Sequence, residues 1–253
     1  MERSERMIID THTHIGLGEK FEDTFQVDQS LELLLAQMEE AGIDKACVMP
    51  VTYDDYEFGI EEIRRAATAH PDRLIGYARA NLHREERALE QVRRALSDYG
   101  FRGVKVHPWQ GDGWPTRRLM QLLTEFEACL LLHTRPEIDV IDSFARLALD
   151  YPKVPIIMGH MGGFGPYWPG FVKLCAVEAR RVPNLYLDTA RVFDHGWIRM
   201  AVEICGPEKV LFGSDACAAH PAIPLKQIEL CHFTDSERDL ILCGNAKRLL
   251  RLQ

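Results

Sequence analysis

The chain has 253 residues, 46% of them hydrophobic and 27% charged, and its 38 acidic against 30 basic residues leave a formal net charge of −8. A length of this order suits one α/β barrel, a single domain over residues 1–253, and supplies a large core. The acidic balance, with arginines interleaved among acids as in Glu61-Glu62-Ile63-Arg64-Arg65, argues against a nucleic-acid footprint, and no apolar run reaches the roughly 18 residues of a membrane span.

Segments with strand and helix patterning alternate along the chain. Met7–Asp10 is a short apolar strand. Ser30–Ala41 carries Leu31, Leu34, Leu35 and Met38 on a helical stripe, with Gly42 placed to stop it. Ile43–Pro50 is the second strand, Ile60–Ala69 a helix that ends ahead of His70-Pro71, Leu74–Ala80 the third strand and Arg84–Leu96 the next helix. Gly103–His107 is the fourth strand. After a loop rich in Gly, Trp and Pro come a helix over Thr116–Ala128, a fifth strand over Leu130–His133 and a helix over Ile138–Leu149. Val154–His160, Leu185–Thr189 and Val210–Gly213 are the last three strands, separated by helices over Phe171–Arg181 and His195–Ile204. Pro224–His232 and Ser236–Leu252 close the chain as helices.

Eight strands with helices between them match a TIM (β/α)8 barrel with C-terminal closing helices, and their continuous apolarity fits burial between a barrel core and covering helices. A doubly wound open sheet fits less well, because no glycine-rich phosphate motif follows the first strand. The seven cysteines include no CxxC pair, and Cys47, Cys129, Cys175 and Cys205 sit in apolar surroundings. They read as buried thiols in a reducing compartment, which makes the cytoplasm the expected location. The N-terminal residues lack signal-peptide character.

Four apolar runs end in chelating side chains: Ile8-Ile9-Asp10-Thr11-His12-Thr13-His14, Leu130-Leu131-Leu132-His133, Ile156-Ile157-Met158-Gly159-His160 and Val210-Leu211-Phe212-Gly213-Ser214-Asp215. His12 and His14, two apart, project to the same side of a strand. Asp10 is in phase with them, as a support for the ligands or as a deeper structural polar group. Each site alone has a plain reading: a loop histidine, a hydrogen-bonded core histidine, a capping aspartate. Together, at C-terminal strand ends where barrel active sites form, they suit one divalent metal, zinc first, with manganese or iron as alternatives.

As an ordered set these segments resemble the amidohydrolase superfamily, in particular the amidohydrolase-related branch that contains the aminocarboxymuconate-semialdehyde decarboxylase type. Gly103-Val104-Lys105-Val106-His107-Pro108, Leu132-His133-Thr134, Gly159-His160-Met161-Gly162-Gly163 and the closing Ile241-Leu242-Cys243-Gly244-Asn245-Ala246-Lys247-Arg248-Leu249-Leu250 complete the likeness, which covers essentially the whole chain. The resemblance implies His12, His14, His133 and Asp215 as metal ligands. It makes His160 a ligand in some branches and an acid/base group in others, so Asp215 and His160 are the candidate catalytic residues. Relatives with two metals bridge them with a carbamylated lysine on strand four; here Lys105 and His107 share that strand's face and are read instead as substrate contacts beside a single metal.

Thr134-Arg135-Pro136 places an arginine where the family often has glycine. Arg135 and Arg191, with Trp109 and Trp168 as aromatic walls, suit a small organic acid, since an arginine fork matches carboxylate geometry. Trp114 and Tyr167 lie in the same loops. The leading expectation is a metal-dependent hydrolase that cleaves a lactone, ester or amide of a small acid through a metal-activated water, with Asp215 taking the proton. The alternative is non-oxidative decarboxylation of an aromatic or unsaturated carboxylic acid on the same ligands. A non-catalytic metal-binding barrel is a third reading, and a serine hydrolase is disfavoured because no GxSxG elbow occurs. No nucleic-acid or membrane partner is expected, and the family resemblance suggests a homodimer.

Overall fold

The computed structural model describes residues 6–16, 29–163 and 169–252. Eight parallel strands follow one another around the sheet in sequence order: β1 Ile9–Ile15, β2 Lys45–Pro50, β3 Leu74–Arg79, β4 Gly103–Val106, β5 Cys129–Leu132, β6 Ile156–Met158, β7 Leu185–Asp188 and β8 Val210–Leu211. The ring closes through the backbone of β1 and the chain leaving β8. Thr11 N donates to Phe212 O at 2.9 Å, Asp215 N donates to His12 O at 2.8 Å, and Thr13 bridges Ala216 in parallel. The fold is the TIM barrel that the element count indicates.

The intervening helices are α1 Leu31–Ala41, α2 Glu57–Ala69, α3 Glu85–Ser97, α4 Arg117–Phe126, α5 Ile138–Asp150, α6 Pro169–Arg181 and α7 His195–Cys205. After β8 come α8 Ala222–Leu230, α9 Asp235–Asp239, a wide turn over Leu240–Gly244 and α10 Asn245–Leu250. Helix α1 begins where Ser30 accepts the Leu33 N–H and stops where Gly42 takes φ +72°, a left-handed conformation that glycine adopts without strain.

Period-two alternation sorts each strand into two layers. Val48, Ala78, Val104, Val106, Leu130, Leu132, Ile156 and Leu187 face outward and pack with the helices in the larger core. Cys47, Met49, Ile75, Tyr77, Cys129, Leu131, Ile157, Tyr186 and Leu211 fill the barrel interior, and Leu249 and Leu250 of α10 pack against this inner layer. Four of the inner rows continue in phase into a charged or imidazole side chain: Tyr77 to Arg79, Leu131 to His133, Tyr186 to Asp188, and Leu211 through Gly213 to Asp215. The apolar floor therefore carries a polar upper layer at the C-terminal mouth.

Strand β1 departs from the expected Met7–Asp10. It runs on to Ile15 because its pairing with β2 shifts between Asp10 and Thr13, inserting one residue. That bulge switches the strand's phase, so Ile9 lies in the inner core before it and His12 and His14 point inward after it. Several other strands end one or two residues early, β6 at Met158 rather than His160, because the chain turns sharply there: His160 and Met161 have φ of 61° and 50°. Among the described residues no helix is long and apolar enough to cross a membrane. All seven cysteines are free thiols, six of them buried.

Candidate active site

The inward side chains of β1, β4, β5 and β7 meet the loops after β6 and β8 at one mouth. His12, His14 and Asp215 offer ligand atoms that lie within 4.8 Å of one another. Asp215 Oδ1 is 3.6 Å from His12 Nε2 and 3.4 Å from His14 Nε2. The two histidines come from the first strand and the aspartate from the loop after the last, and they are adjacent because the chain leaving β8 closes against β1.

Hydrogen bonding fixes which imidazole nitrogen is bare. His12 Nδ1 donates to Asp188 Oδ2 at 2.8 Å, and His14 Nδ1 donates to the Pro50 carbonyl at 3.3 Å. Both partners only accept, so each Nδ1 carries the proton and each Nε2 keeps a lone pair. Burial, reinforced by neighbouring cations, pushes the pKa of both imidazoles well below the ordinary histidine value, so both are neutral. His160 Nδ1 likewise donates to Ala190 O at 2.9 Å, and its Nε2 stands 3.1 Å from His133 Nδ1. The neutral His133 then donates through Nδ1 and keeps its lone pair on Nε2.

His133 stands one imidazole away from the tightest group. It contacts His160, whose ring centroid is 5.0 Å from that of His12, and it stacks on His107 at 3.6 Å. His107 Nδ1 is buried and has no hydrogen-bond partner among the described residues. Lys105 Nζ donates to His12 Nε2 at 2.9 Å, and burial pulls its pKa down to about 8. An array of inward Nε2 lone pairs, one carboxylate and an orphaned buried imidazole nitrogen fits a divalent cation better than it fits a structural polar cluster.

Asp188 does not stand out in the sequence, yet it organises the site. Fully buried at the end of β7, it accepts from His12 Nδ1 and from the backbone N–H groups of His160 at 2.7 Å and Ala190 at 3.1 Å. This is the usual way a carboxylate sets a ligand histidine's tautomer. The signal that could find it is the one that singles out Asp215, a carboxylate ending a buried apolar strand. Arg79, at the end of β3, is equally inconspicuous. It is buried, donates to Asp112 Oδ2 at 2.8 Å, and lies 5.2 Å over the Tyr56 ring.

Asp10 does not share the histidines' role. Lying before the bulge, it accepts from Ser214 N at 3.0 Å and from the Ser214 hydroxyl, tying β1 to the loop after β8. Gly213 makes room for this closure, since a Cβ there would stand 3.1 Å from His12 Cβ.

The cationic residues divide. Arg191 Nε pairs with Asp215 Oδ2 at 2.7 Å. Burial pushes the Asp215 carboxyl up to about 6, and Arg191 works against that rise. Arg135 lies 4.9 Å over the Trp109 ring, which meets the edge of His133 at 6.2 Å. Trp114 instead packs edge-on against Phe144 of α5 at 5.5 Å and covers the barrel flank. Tyr167 and Trp168 lie outside the described residues.

Comparison with known proteins agrees with this architecture. Solved structures of similar fold include 2,6-dihydroxybenzoate decarboxylase complexed with 2,6-dihydroxybenzoate, at 17% identity and a TM-score of 0.74 over 98% of this chain and 99% of that one. A 5-carboxyvanillate decarboxylase from Sphingomonas paucimobilis matches at 15% identity and TM-score 0.74, over 98% and 99%. A dihydroxybenzoic acid decarboxylase from Polaromonas sp. JS666, solved with manganese and the inhibitor 2-nitroresorcinol, matches at 18% and 0.74, over 98% and 97%. The amidohydrolase family model matches residues 9–252, nearly the whole chain, and the protein belongs to the amidohydrolase family.

Proposed function

We propose that the protein is a divalent-metal-dependent decarboxylase of a small aromatic or unsaturated carboxylic acid. His12, His14 and Asp215, with His133 as a fourth donor, would hold one ion. When bound, the metal supplies a positive charge that anchors a substrate oxygen and draws electron density toward it. Nitrogen and oxygen donors suit manganese as well as zinc, and the manganese in the Polaromonas enzyme supports testing it first.

The observation that carries the decarboxylase reading over hydrolysis is the Arg191–Asp215 pair at 2.7 Å. Hydrolysis asks Asp215 to take a proton from water; burial raises its carboxyl to about 6, but the Arg191 guanidinium holds that rise back and occupies one of its two oxygens. Decarboxylation asks instead for an anion-holding mouth and a proton for carbon. Lys105, Arg191 and Arg135 furnish the cations, Trp109 an aromatic wall. His160 can deliver the proton: its Nδ1–H is tied to Ala190, so Nε2 is the exchangeable position, and burial, opposed in part by Asp188, pulls its pKa down to about 4, so a proton taken up there is readily released to carbon. The proton goes to the carbon bearing the carboxylate, the carbon–carbon bond breaks, its electron pair returns to the ring or double bond, and carbon dioxide leaves. The three neighbours, each named as a decarboxylase of a hydroxylated or methoxylated benzoate, support this reading over the hydrolase that the sequence puts first.

The test is carbon dioxide release by manganese-loaded and zinc-loaded protein from a panel of hydroxybenzoates, run beside lactones, esters and amides. Release from at least one acid is expected, with His160→Asn and Asp215→Asn each lowering turnover about 10²–10⁴-fold. Ring opening of a lactone with no carbon dioxide from any acid would return the protein to the hydrolases.

A further inference from the structure

Beside His14 and Asp215 lies a cleft of about 30 Å³ bordered by Thr52, Arg79 and Gln110. It holds one polar group, not a second ring. The Gln110 carboxamide there has a fixed orientation. Its Oε1 accepts from Thr52 Oγ1 at 2.9 Å and from Arg79 Nη2 at 3.1 Å. A guanidinium cannot accept, so the atom facing Arg79 is oxygen and the group left for the cleft is the NH2. Arg79 cannot turn away, because Asp112 holds its Nε, and Asp112 is held in turn by Tyr56 Oη at 2.6 Å and His107 N at 2.7 Å. Gln110 therefore offers the cleft donors only.

From this geometry we infer that Gln110 is a specificity-determining residue, selecting substrates that carry a second, hydrogen-bond-accepting oxygen next to the group held at the metal ligands. This rests on the acid-binding reading above and narrows it to 2-oxy carboxylates, of which a 2-hydroxybenzoate is the simplest aromatic form. The phenolic oxygen in the cleft accepts from Gln110 Nε2–H, and the carboxylate lies on the His14–Asp215 side.

Calorimetric titration of the manganese-loaded full chain with 2-hydroxybenzoate and with benzoate tests this. Wild type is expected to prefer 2-hydroxybenzoate. Gln110→Glu keeps the shape but turns a donor toward the cleft into an acceptor, and is expected to lose about 10- to 100-fold of that affinity, with a smaller loss for benzoate from the added negative charge. Gln110→Ala is expected to shift the ratio the same way by less, and metal content with circular dichroism confirms that both variants are folded and loaded. An unchanged affinity ratio in both folded variants, or no binding of either probe by wild type, overturns the inference. Carbon dioxide release followed in parallel separates the two claims: release with a Gln110-independent ratio sinks the cleft assignment alone, and Gln110-dependent binding without release sinks decarboxylation alone.

Discussion

Asp188→Asn is the sharpest single perturbation of the site, because the replacement has the same shape and all three partners of Asp188 are donors. Oδ1 receives the backbone N–H groups of His160 and Ala190, and Oδ2 receives His12 Nδ1–H. An amide has one acceptor and one donor end. Turning its NH2 toward the backbone orphans two buried N–H groups, at roughly 1–3 kcal/mol each. Turning it toward His12 costs one imidazole tautomer switch, so this arrangement wins. His12 then carries its proton on Nε2, facing Lys105 and Asp215, and its lone pair no longer points into the mouth. Metal affinity is expected to fall about 10- to 100-fold, while the melting temperature of the metal-free protein drops by only a few degrees, about 2–4 °C per kcal/mol for a chain of this size. Competition against a chelating fluorophore gives the affinity, and thermal denaturation by circular dichroism gives the stability. Metal affinity within twofold of wild type would show that Asp188 is structural and that His12 does not bind through Nε2; a large stability loss with unchanged affinity would mean the same.

Asp112→Ala should be costly for a different reason. It leaves the Arg79 guanidinium buried without its 2.8 Å partner, which predicts a loss of about 3–5 kcal/mol in urea denaturation; a loss below about 1 kcal/mol would mean water reaches Arg79. Gly162→Ala puts a Cβ 2.0 Å from Cys175 Sγ at a backbone φ of +91°, so a loss above about 2 kcal/mol is expected. Adding Cys175→Ala should recover part of it, and strict additivity of the two changes would contradict the steric cause. Glu61 is pulled down to about 2 by its paired hydrogen bonds from Arg64 at 2.6 and 2.7 Å. A carboxylate with a lowered folded pKa stabilises above its unfolded value near 4.5 and loses that contribution as pH falls toward 2. The pair is largely solvated, so Glu61→Gln should cost under about 1 kcal/mol at pH 7, and the gap to wild type should vanish near pH 2; a gap that widens on acidification would reverse the sign.

Most of the barrel can be read from periodicity because its strands are apolar on both faces and each helix carries one stripe; Ser30 and Gly42 even mark the ends of α1. The register of β1 cannot. A bulge adds one residue without any local sequence mark, and it reverses which face Asp10 and His12 occupy. The imidazoles and Asp215 are legible as polar residues ending apolar runs. Arg79 and Asp188 satisfy the same criterion but stay hidden, because Arg79 is no chelator and Asp188 reaches the site only through His12 Nδ1 and the backbone N–H groups of His160 and Ala190, contacts made by folding. Gln110 carries no signal at all. Its role depends on a loop folding back so that Arg79 fixes its amide, a contact between the end of β3 and the connection after β4.

Backbone strain marks the same arc of the mouth. Among the described residues, seven other than glycine have positive φ. Glu127 and Arg251 cap the ends of α4 and α10, and His232 follows Cys231, the C-cap of α8, so helix termination accounts for these three. His160, Met161, Arg191 and Asp215 terminate no helix. They sit in the loops after β6, β7 and β8, with φ of 61°, 50°, 51° and 70°, at roughly 1–3 kcal/mol each. Glycine would relieve that strain at any of the four positions. At three of them the side chain that glycine would remove is one that contacts the imidazole cluster or its carboxylate. The strained backbone turns His160 beneath Ala190, swings Arg191 back onto Asp215 and aims Asp215 at His12 and His14. Cheaper loops could have closed the same barrel, so the strain is tied to the placement of these side chains, not to the fold.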